Sequence, residues 1–241
     1  MKAVFIADAH LDGSDSDGYR YLIRFLSSVQ GSVDELYILG DFFDFWFAGK
    51  NGVYPGFSDI VERLLEIQRA GTNVSFFEGN HDFFLSDYFE PHGVRVFSEG
   101  ATIELDGKRL FVSHGDMVDA SNRSYLVLRK LLRSNLFYRT QKQIPSPVLW
   151  SLSRVISGMS RNCETPSSNG LAGRINTFAM EKFEGGADAV ILGHFHSPRF
   201  EQHVVHDRIK TFAILGDWIG HHSYLLYDDG EFLMKSGILS D

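Results

Sequence analysis

The sequence predicts an α/β layered domain with a helical insertion. Three observations carry that prediction: short apolar runs that end in a carboxylate, amphipathic helical stretches between them, and one long segment without an acidic residue. "AVFIAD" (3–8), "ELYILGD" (35–41) and "NVSFFEGNHD" (73–82) are strand-like runs rich in β-formers. Between them lie two helical patterns. The first, over 19–30, gathers Leu22, Ile23, Phe25, Leu26 and Val29 on one side, and the second, over 57–70, does the same with Ile60, Val61, Leu64, Leu65 and Ile67. Strand, helix, strand, helix, strand reads as βαβ units with parallel strands, and such sheets bind ligands at the carboxyl ends of their strands.

Further strands are expected at 94–97, 102–105 and 109–113, with "DGK" (106–108) as a hairpin turn. Residues 120–185 read as mostly helical, broken by "IPSP" (144–147) and "RNCETPSSNG" (161–170). Strands return at 189–192, 201–206, 210–215, 224–227 and 232–235. With no internal repeat and no low-complexity linker, the expectation is one domain over 1–241 with an insertion at about 120–185.

A 44% hydrophobic, 14% aromatic composition suffices for a large core and excludes a disordered chain. No apolar run reaches the ~18–20 residues of a membrane span. The opening "MKAVFIADAH" turns polar too early for a secretory leader, so a cytoplasmic location is expected, and the lone Cys163 excludes an internal disulfide. The net charge of −8 argues against a nucleic-acid-binding surface. Its distribution is uneven: 120–163 holds eight Lys or Arg and no acid, a basic attachment on an acidic body. Within it, "NRSYLVLRKLLRSNLFYR" (122–139) and "PVLWSLSRVISGMSR" (147–161) interleave leucines and other apolar residues with cations, the pattern of a basic amphipathic helix at a membrane surface or of a helix packed on the domain with a solvated cationic face.

Five strand ends finish in metal-binding residue types: Asp8 and His10 in "ADAH", Asp41 and Asp44 in "GDFFD", Asn80, His81 and Asp82 in "GNHD", His114 and Asp116 in "SHGD", His194 and His196 in "GHFH". Each motif alone is common. Together, each following an apolar strand and each opening a loop, they point to one cation-binding centre. Carboxylate, imidazole and amide ligands without cysteine suit Mn²⁺, Fe or Zn²⁺ and disfavour a structural zinc site. The aromatics beside Asp41 and Asp44 (Phe42, Phe43, Phe45, Trp46 and Phe47) are expected in the core.

The ordered series D-x-H, GDxxD, GNHD, H, GHxH resembles the calcineurin-like metallophosphoesterases. That resemblance implies a four-layer αββα sandwich holding two adjacent divalent cations, Mn²⁺ foremost. It implies one cation on Asp8, His10, Asp41 and His196, a second on Asp41, Asn80, His114 and His194, and Asp41 as the bridge. His81 would lie beside the substrate phosphate, making His81 and Asp41 the catalytic pair, with Asn80 and His194 also facing substrate. Within that family the motifs "ADAHL", "YILGDFFDFW", "GNHDFFL", "HGD" before a basic helix, and "LGDW…SYL" (215–225) are most similar to the UDP-2,3-diacylglucosamine hydrolases of lipid A synthesis. Those enzymes carry a helical cap that embraces acyl chains, cleave a pyrophosphate, and sit peripherally on the inner face of the bacterial inner membrane. They carry "GNRD" where this chain has His81, and an acid where Asn122 aligns. Asn122 is the expected sugar contact, and Arg123, Arg129 and Arg174 are the expected phosphate contacts. The competing expectations are a phosphodiesterase or phosphomonoesterase acting on soluble substrates, and a non-catalytic scaffold.

Overall fold

The structure is a computed structural model that describes residues 1–13, 16–46, 53–119, 123–145, 147–151 and 170–239. Its first half alternates strands β1 (Lys2–Ile6), β2 (Glu35–Leu39) and β3 (Asn73–Phe77) with helices α1 (Asp17–Val29) and α2 (Ser58–Arg69). A short helix α3 (Ser86–Phe89) precedes β4 (Arg95–Phe97), β5 (Ala101–Leu105) and β6 (Lys108–Ser113). Helices α4 (Arg123–Leu132), α5 (Asn135–Gln141) and α6 (Leu171–Glu184) follow, then β7 (Ala189–Leu192), β8 (Arg199–Val205), β9 (Arg208–Ile214), β10 (Ser223–Asp228) and β11 (Glu231–Ser236).

The strands form two mixed sheets, in the orders β11-β10-β1-β2-β3-β4 and β5-β6-β7-β9-β8. β1 to β4 run parallel, as do β6, β7 and β9. Alternation along each strand builds three cores. Val4, Ile6, Leu36 and Ile38 face α1 and α2, where Leu22, Phe25, Leu26, Ile60 and Leu64 meet them. Ala3, Phe5, Tyr37 and Leu39 face the second sheet, against Leu110, Val112, Ala189 and Ile191. Val190, Leu192, Phe212 and Ile214 face α6. Every residue of β2 is buried, as a parallel strand covered on both sides must be. The layers are therefore helix, sheet, sheet, helix. Phe42, Phe43, Phe45 and Trp46 lie in the first core as expected, and Phe47 falls outside the described residues.

Register positions the site. Leu39 pairs with Phe77 and Ile6 with Ile38, so β1, β2 and β3 stop at one level; Ser113 and Ile214 pair with Leu192 and do the same in the second sheet. The residues that follow these strands are the five motifs, and they emerge along one edge of the sandwich.

The insertion expected over 120–185 is shorter at its C-terminal side. Ile175, Ala179 and Phe183, four residues apart, form one stripe of α6 that packs on the second sheet as its outer layer. Helices α4 and α5 attach differently, through ions. Arg129 donates from Nε to Asp116 (2.7 Å) and from its two terminal nitrogens to both oxygens of Glu99 (3.0 and 3.1 Å). Arg133 donates to Glu78 (3.2 Å), Ser98 O (2.7 Å) and Gly79 O (2.7 Å). Lys142 and Tyr138 both reach Asp87, and the Tyr138 ring lies 4.6 Å from that of Phe84. The cationic face expected in solvent is thus partly turned inward onto body carboxylates. The leucine face is turned outward, leaving Val127, Leu128, Leu131 and Leu136 between 52% and 76% exposed. No helix among the described residues is long and apolar enough to cross a membrane.

Candidate metal centre

The motif residues leave their strands in an unusual backbone state. Asp8 (φ 55°), His10 (44°), Asp41 (50°), His194 (71°) and His196 (53°) all occupy the left-handed region. Non-glycine residues there cost about 1–3 kcal/mol each and persist only where the surroundings dictate them. Here hydrogen bonds between the turns do so. Asp8 N–H donates to Gly40 O (3.1 Å), His10 N–H to Asp41 O (2.9 Å) and Leu11 N–H to Phe42 O (3.0 Å). His194 N–H donates to the Asp8 carboxylate (2.9 and 3.1 Å), and His81 N–H to Asp41 Oδ1 (2.9 Å). Gly79 is required by close approach, since a Cβ there would stand 2.1 Å from Asp41 Oδ1.

Asp82 holds the "GDFF" and "GNHD" turns together. Its buried carboxylate accepts four backbone N–H groups: Asp41 (2.9 Å), Phe42 (2.7 Å), Phe43 (3.1 Å) and Gly79 (3.0 Å). Burial and the Asp41 charge push its pKa up to about 7, while those donors pull the other way.

The side chains converge in overlapping groups, two of them around Asp41 and a third formed by His10, Asp44 and His81. In one, His10 Nε2 lies 3.2 Å from His196 Nε2, with Asp8 Oδ1 3.8 Å from His196 Nε2. In the other, His114 Nε2 lies 2.8 Å from Asn80 Oδ1, and ligand atoms of Asp41, His114 and His194 all fall within 4.8 Å of one another. Asp41 belongs to both, its Oδ2 standing 3.9 Å from His10 Nε2 and 3.4 Å from His114 Nε2. Asp44, expected only as a loop anchor or ligand support, places Oδ1 3.5 Å from His10 Nδ1 and 3.9 Å from His81 Nδ1; its backbone carbonyl is 3.1 Å from His81 Nδ1.

This donor set fits divalent cations. Leu39 O can only accept, so His114 Nδ1 carries the proton that reaches it (2.8 Å), which turns Nε2 toward Asn80 Oδ1 and Asp41 Oδ2. His10 likewise has a carboxylate behind Nδ1 and directs Nε2 at another imidazole nitrogen. Carboxylate oxygens gathered in a buried site repel one another unless positive charge, a proton on a neighbouring imidazole or a cation in its place, stands among them. The titration behaviour expresses the same demand. Burial works to lower the His114 pKa, yet Asp41, Asp8 and Asp116 raise it to about 10. Burial pushes Asp8 up to about 7, with the Asp41 charge adding to it. Burial also works against ionised Asp41, but His114, His81 and His10 together hold it well below the usual carboxylate range.

All eight motif residues expected at the site, Asp8, His10, Asp41, Asn80, His81, His114, His194 and His196, thus adjoin one centre. The arginines do not follow. Arg129 commits all three guanidinium nitrogens to Asp116 and Glu99 and acts as a strut for α4. Arg174 reaches Asp119 (3.2 Å) from α6, Arg123 is exposed at the start of α4, and Asn122 lies outside the described residues. Tyr125, which donates to Asp116 (2.6 Å), and Arg133, on the Gly79 carbonyl, were not singled out as site neighbours by sequence; only their place in the basic stretch 122–139 marks them.

Two mixed sheets between helices, with carboxylates and imidazoles gathered at their strand ends, define a hydrolase of phosphoesters or phosphoric anhydrides that depends on divalent metal ions. The chain belongs to the calcineurin-like phosphoesterase family, whose profile matches residues 1–198. It is similar over nearly its full length to proteins named UDP-2,3-diacylglucosamine hydrolase. That of Aromatoleum aromaticum is 31% identical, covering 95% of this chain and 94% of the relative. That of Photorhabdus laumondii is 29% identical with 92% of each covered, and that of Neisseria meningitidis serogroup B is 27% identical with 95% of each covered.

Asp82→Ala would leave four backbone N–H groups without their acceptor. It should lower stability by about 3–5 kcal/mol, read by urea unfolding, with Asp82→Asn losing less because it retains an acceptor oxygen. A loss below about 1 kcal/mol for the alanine variant would contradict this role.

Proposed function

We propose that the protein hydrolyses UDP-2,3-diacylglucosamine at its pyrophosphate, releasing UMP and 2,3-diacylglucosamine 1-phosphate, with two Mn²⁺ ions. In this reading Asp8, His10, Asp41 and His196 hold one ion, and Asp41, Asn80, His114 and His194 hold the other. The observation that carries it is the position of Asp41 Oδ2, facing His10 Nε2 and His114 Nε2 at once. A carboxylate shared by two imidazole-rich groups is what a dinuclear centre needs. Bound there, the ions would supply a clamp for the attacking and leaving oxygens and polarise the phosphoryl group.

The chain's own residues do the rest. His81 is held by its N–H on Asp41 Oδ1 and by Nδ1 at Asp44 O; in this reading its Nε2 meets the phosphate and delivers a proton to the departing oxygen. Asn80 and His194 would border the same phosphate. The acidic composition does not oppose an anionic substrate, because the cations set the local field.

The substrate class is supported by the outward apolar face of α4 and α5. These helices form the cap in this reading, and Arg133 ties them to the Gly79 carbonyl beside Asn80. Val127, Leu128 and Leu131 are therefore exposed on an element fixed to the centre. An exposed apolar face invites a lipid partner. It suits a substrate with a diphosphate at the metals and acyl chains against the helices, and a protein resting peripherally on the inner face of a bacterial inner membrane. The names of the full-length relatives agree with that substrate. Arg123, exposed at the start of α4, is the arginine this reading assigns to substrate charge.

Incubation with UDP-2,3-diacylglucosamine in detergent micelles and Mn²⁺ should release UMP; a chelator should stop it and added Mn²⁺ restore it. Cleavage of a simple phosphodiester with no UMP from the diacyl substrate would overturn the assignment. Replacing Leu128 and Leu131 together with serine should lower the rate on the diacyl substrate by about 10-fold or more, given ~1.5–3 kcal/mol per buried leucine, while a small chromogenic phosphodiester is cleaved within about twofold of wild type. Equal losses on both substrates would contradict the lipid role of this face.

A further inference from the structure

The turn between β9 and β10, "LGDW" at 215–218, has no part in the chemistry described above. It nevertheless lies against the metal centre. Leu215 N–H donates to Leu192 O (2.8 Å), Gly216 N–H to Ser223 Oγ (3.1 Å) and Trp218 N–H to Asp8 O (3.2 Å). The Trp218 indole packs on Phe25, 4.6 Å between ring centres. Asp217, buried at the middle of this turn, is held by one oxygen. Its Oδ1 accepts N–H groups from Ile219 (3.1 Å), Gly220 (2.8 Å) and His221 (3.2 Å), with His221 Nδ1 3.3 Å away on the exposed flank. Oδ2 is left facing His196 Nδ1 at 3.5 Å.

We propose that Asp217 is a positioning residue for His196: it fixes the His196 ring with the proton on Nδ1, so that Nε2 presents a lone pair to the cation shared with Asp8, His10 and Asp41. The inference rests on the two-ion reading. An imidazole binds a cation only through an unprotonated nitrogen, and the group hydrogen-bonded to its other nitrogen selects the tautomer and the ring orientation. His10 has the Asp44 carboxylate in that place and His114 has the Leu39 carbonyl. His196 has Asp217. It is also the most exposed of the four side chains at this ion, 34% exposed where those of Asp8, His10 and Asp41 are 0%, 3% and 2% exposed. Burial helps to hold those three, whereas the His196 ring has more solvent beside it and gains more from a carboxylate fixed behind Nδ1. Three backbone donors on Oδ1 prevent the carboxylate from swinging away, so the arrangement is built to hold a direction.

Asp217→Asn separates this role from a structural one. The amide oxygen keeps the three backbone donors, which places the NH₂ group against His196 Nδ1. That favours a lone pair on Nδ1 and the proton on Nε2, the tautomer that cannot bind the cation. Titration with Mn²⁺ alone, followed by electron paramagnetic resonance of the free ion, should show two ions on the wild type. On the variant one site should be unchanged and the other weakened by about 10–100-fold, with no change in Tm. Long-range ¹H–¹⁵N spectra of the histidines should show His196 passing from the Nδ1–H to the Nε2–H form. Ser223→Ala, which loosens the turn without touching the Asp217–His196 pair, should lower Tm and leave both affinities within about twofold. Wild-type affinity at both sites in Asp217→Asn, or equal weakening of both, would overturn the proposal. If the wild type binds no Mn²⁺, the two-ion reading fails instead, and the His196 tautomer in the metal-free protein still decides the role of Asp217.

Discussion

A carboxylate buried to 1% exposure among imidazole rings is the constraint around which this protein is arranged. Asp41 leaves β2 in a left-handed conformation, under hydrogen bonds from neighbouring turns, and its carboxylate lies between two groups of nitrogen and oxygen donors. A charge in such a place is tolerable only with positive charge beside it. The strand register, the glycines at 40 and 79 and the Asp82 clasp all serve to bring donors from β1, β2, β3, β6 and β7 to that carboxylate. The sandwich supplies stiffness: β2 is covered on both faces, and Phe5 stacks on Tyr37 at 4.8 Å between the sheets. The strain at five backbone positions is borne by a core extensive enough to absorb it.

Helices α4 and α5 invert the usual logic of an amphipathic helix. Their attachment runs through Arg129, Arg133, Tyr138 and Lys142 to Asp116, Glu99, Glu78 and Asp87, while their leucines point to solvent. Partly exposed ion pairs contribute little each, but a bidentate arginine shared by two carboxylates fixes direction as well as distance. In the proposed function that direction places an apolar platform on the same edge as the cations. An acyl glycolipid, with its charged and apolar ends joined, would be matched by those two features side by side.

Much of this was legible in the sequence. Runs such as "AVFIAD" and "ELYILGD" carry both the strand and the residue that follows it, so the βαβ order and the eight motif positions could be read together. The aromatics around Asp41 could be placed in the core because nothing polar interrupts them except the carboxylates themselves. What was not legible depends on tertiary partners. A helix with leucines on one side and arginines on the other does not say which side faces the body; acids far away in the chain decided that, and they hold Arg129 as a strut. The stripe Ile175, Ala179, Phe183 resembles any helix face until the second sheet is there to receive it. Asp82 and Asp217 lie in motifs the sequence shows, "GNHD" and "LGDW", but their roles stay hidden, because they accept N–H groups from turns whose shape the sequence does not display.

The central claim is that two cations share Asp41. Crystals grown with Mn²⁺ and measured at its absorption edge test it most directly. The account predicts two anomalous peaks about 3.5–4 Å apart, one beside His10 and His196, the other beside Asn80 and His114, with Asp41 touching both. A single peak, or two peaks that Asp41 does not join, would contradict it.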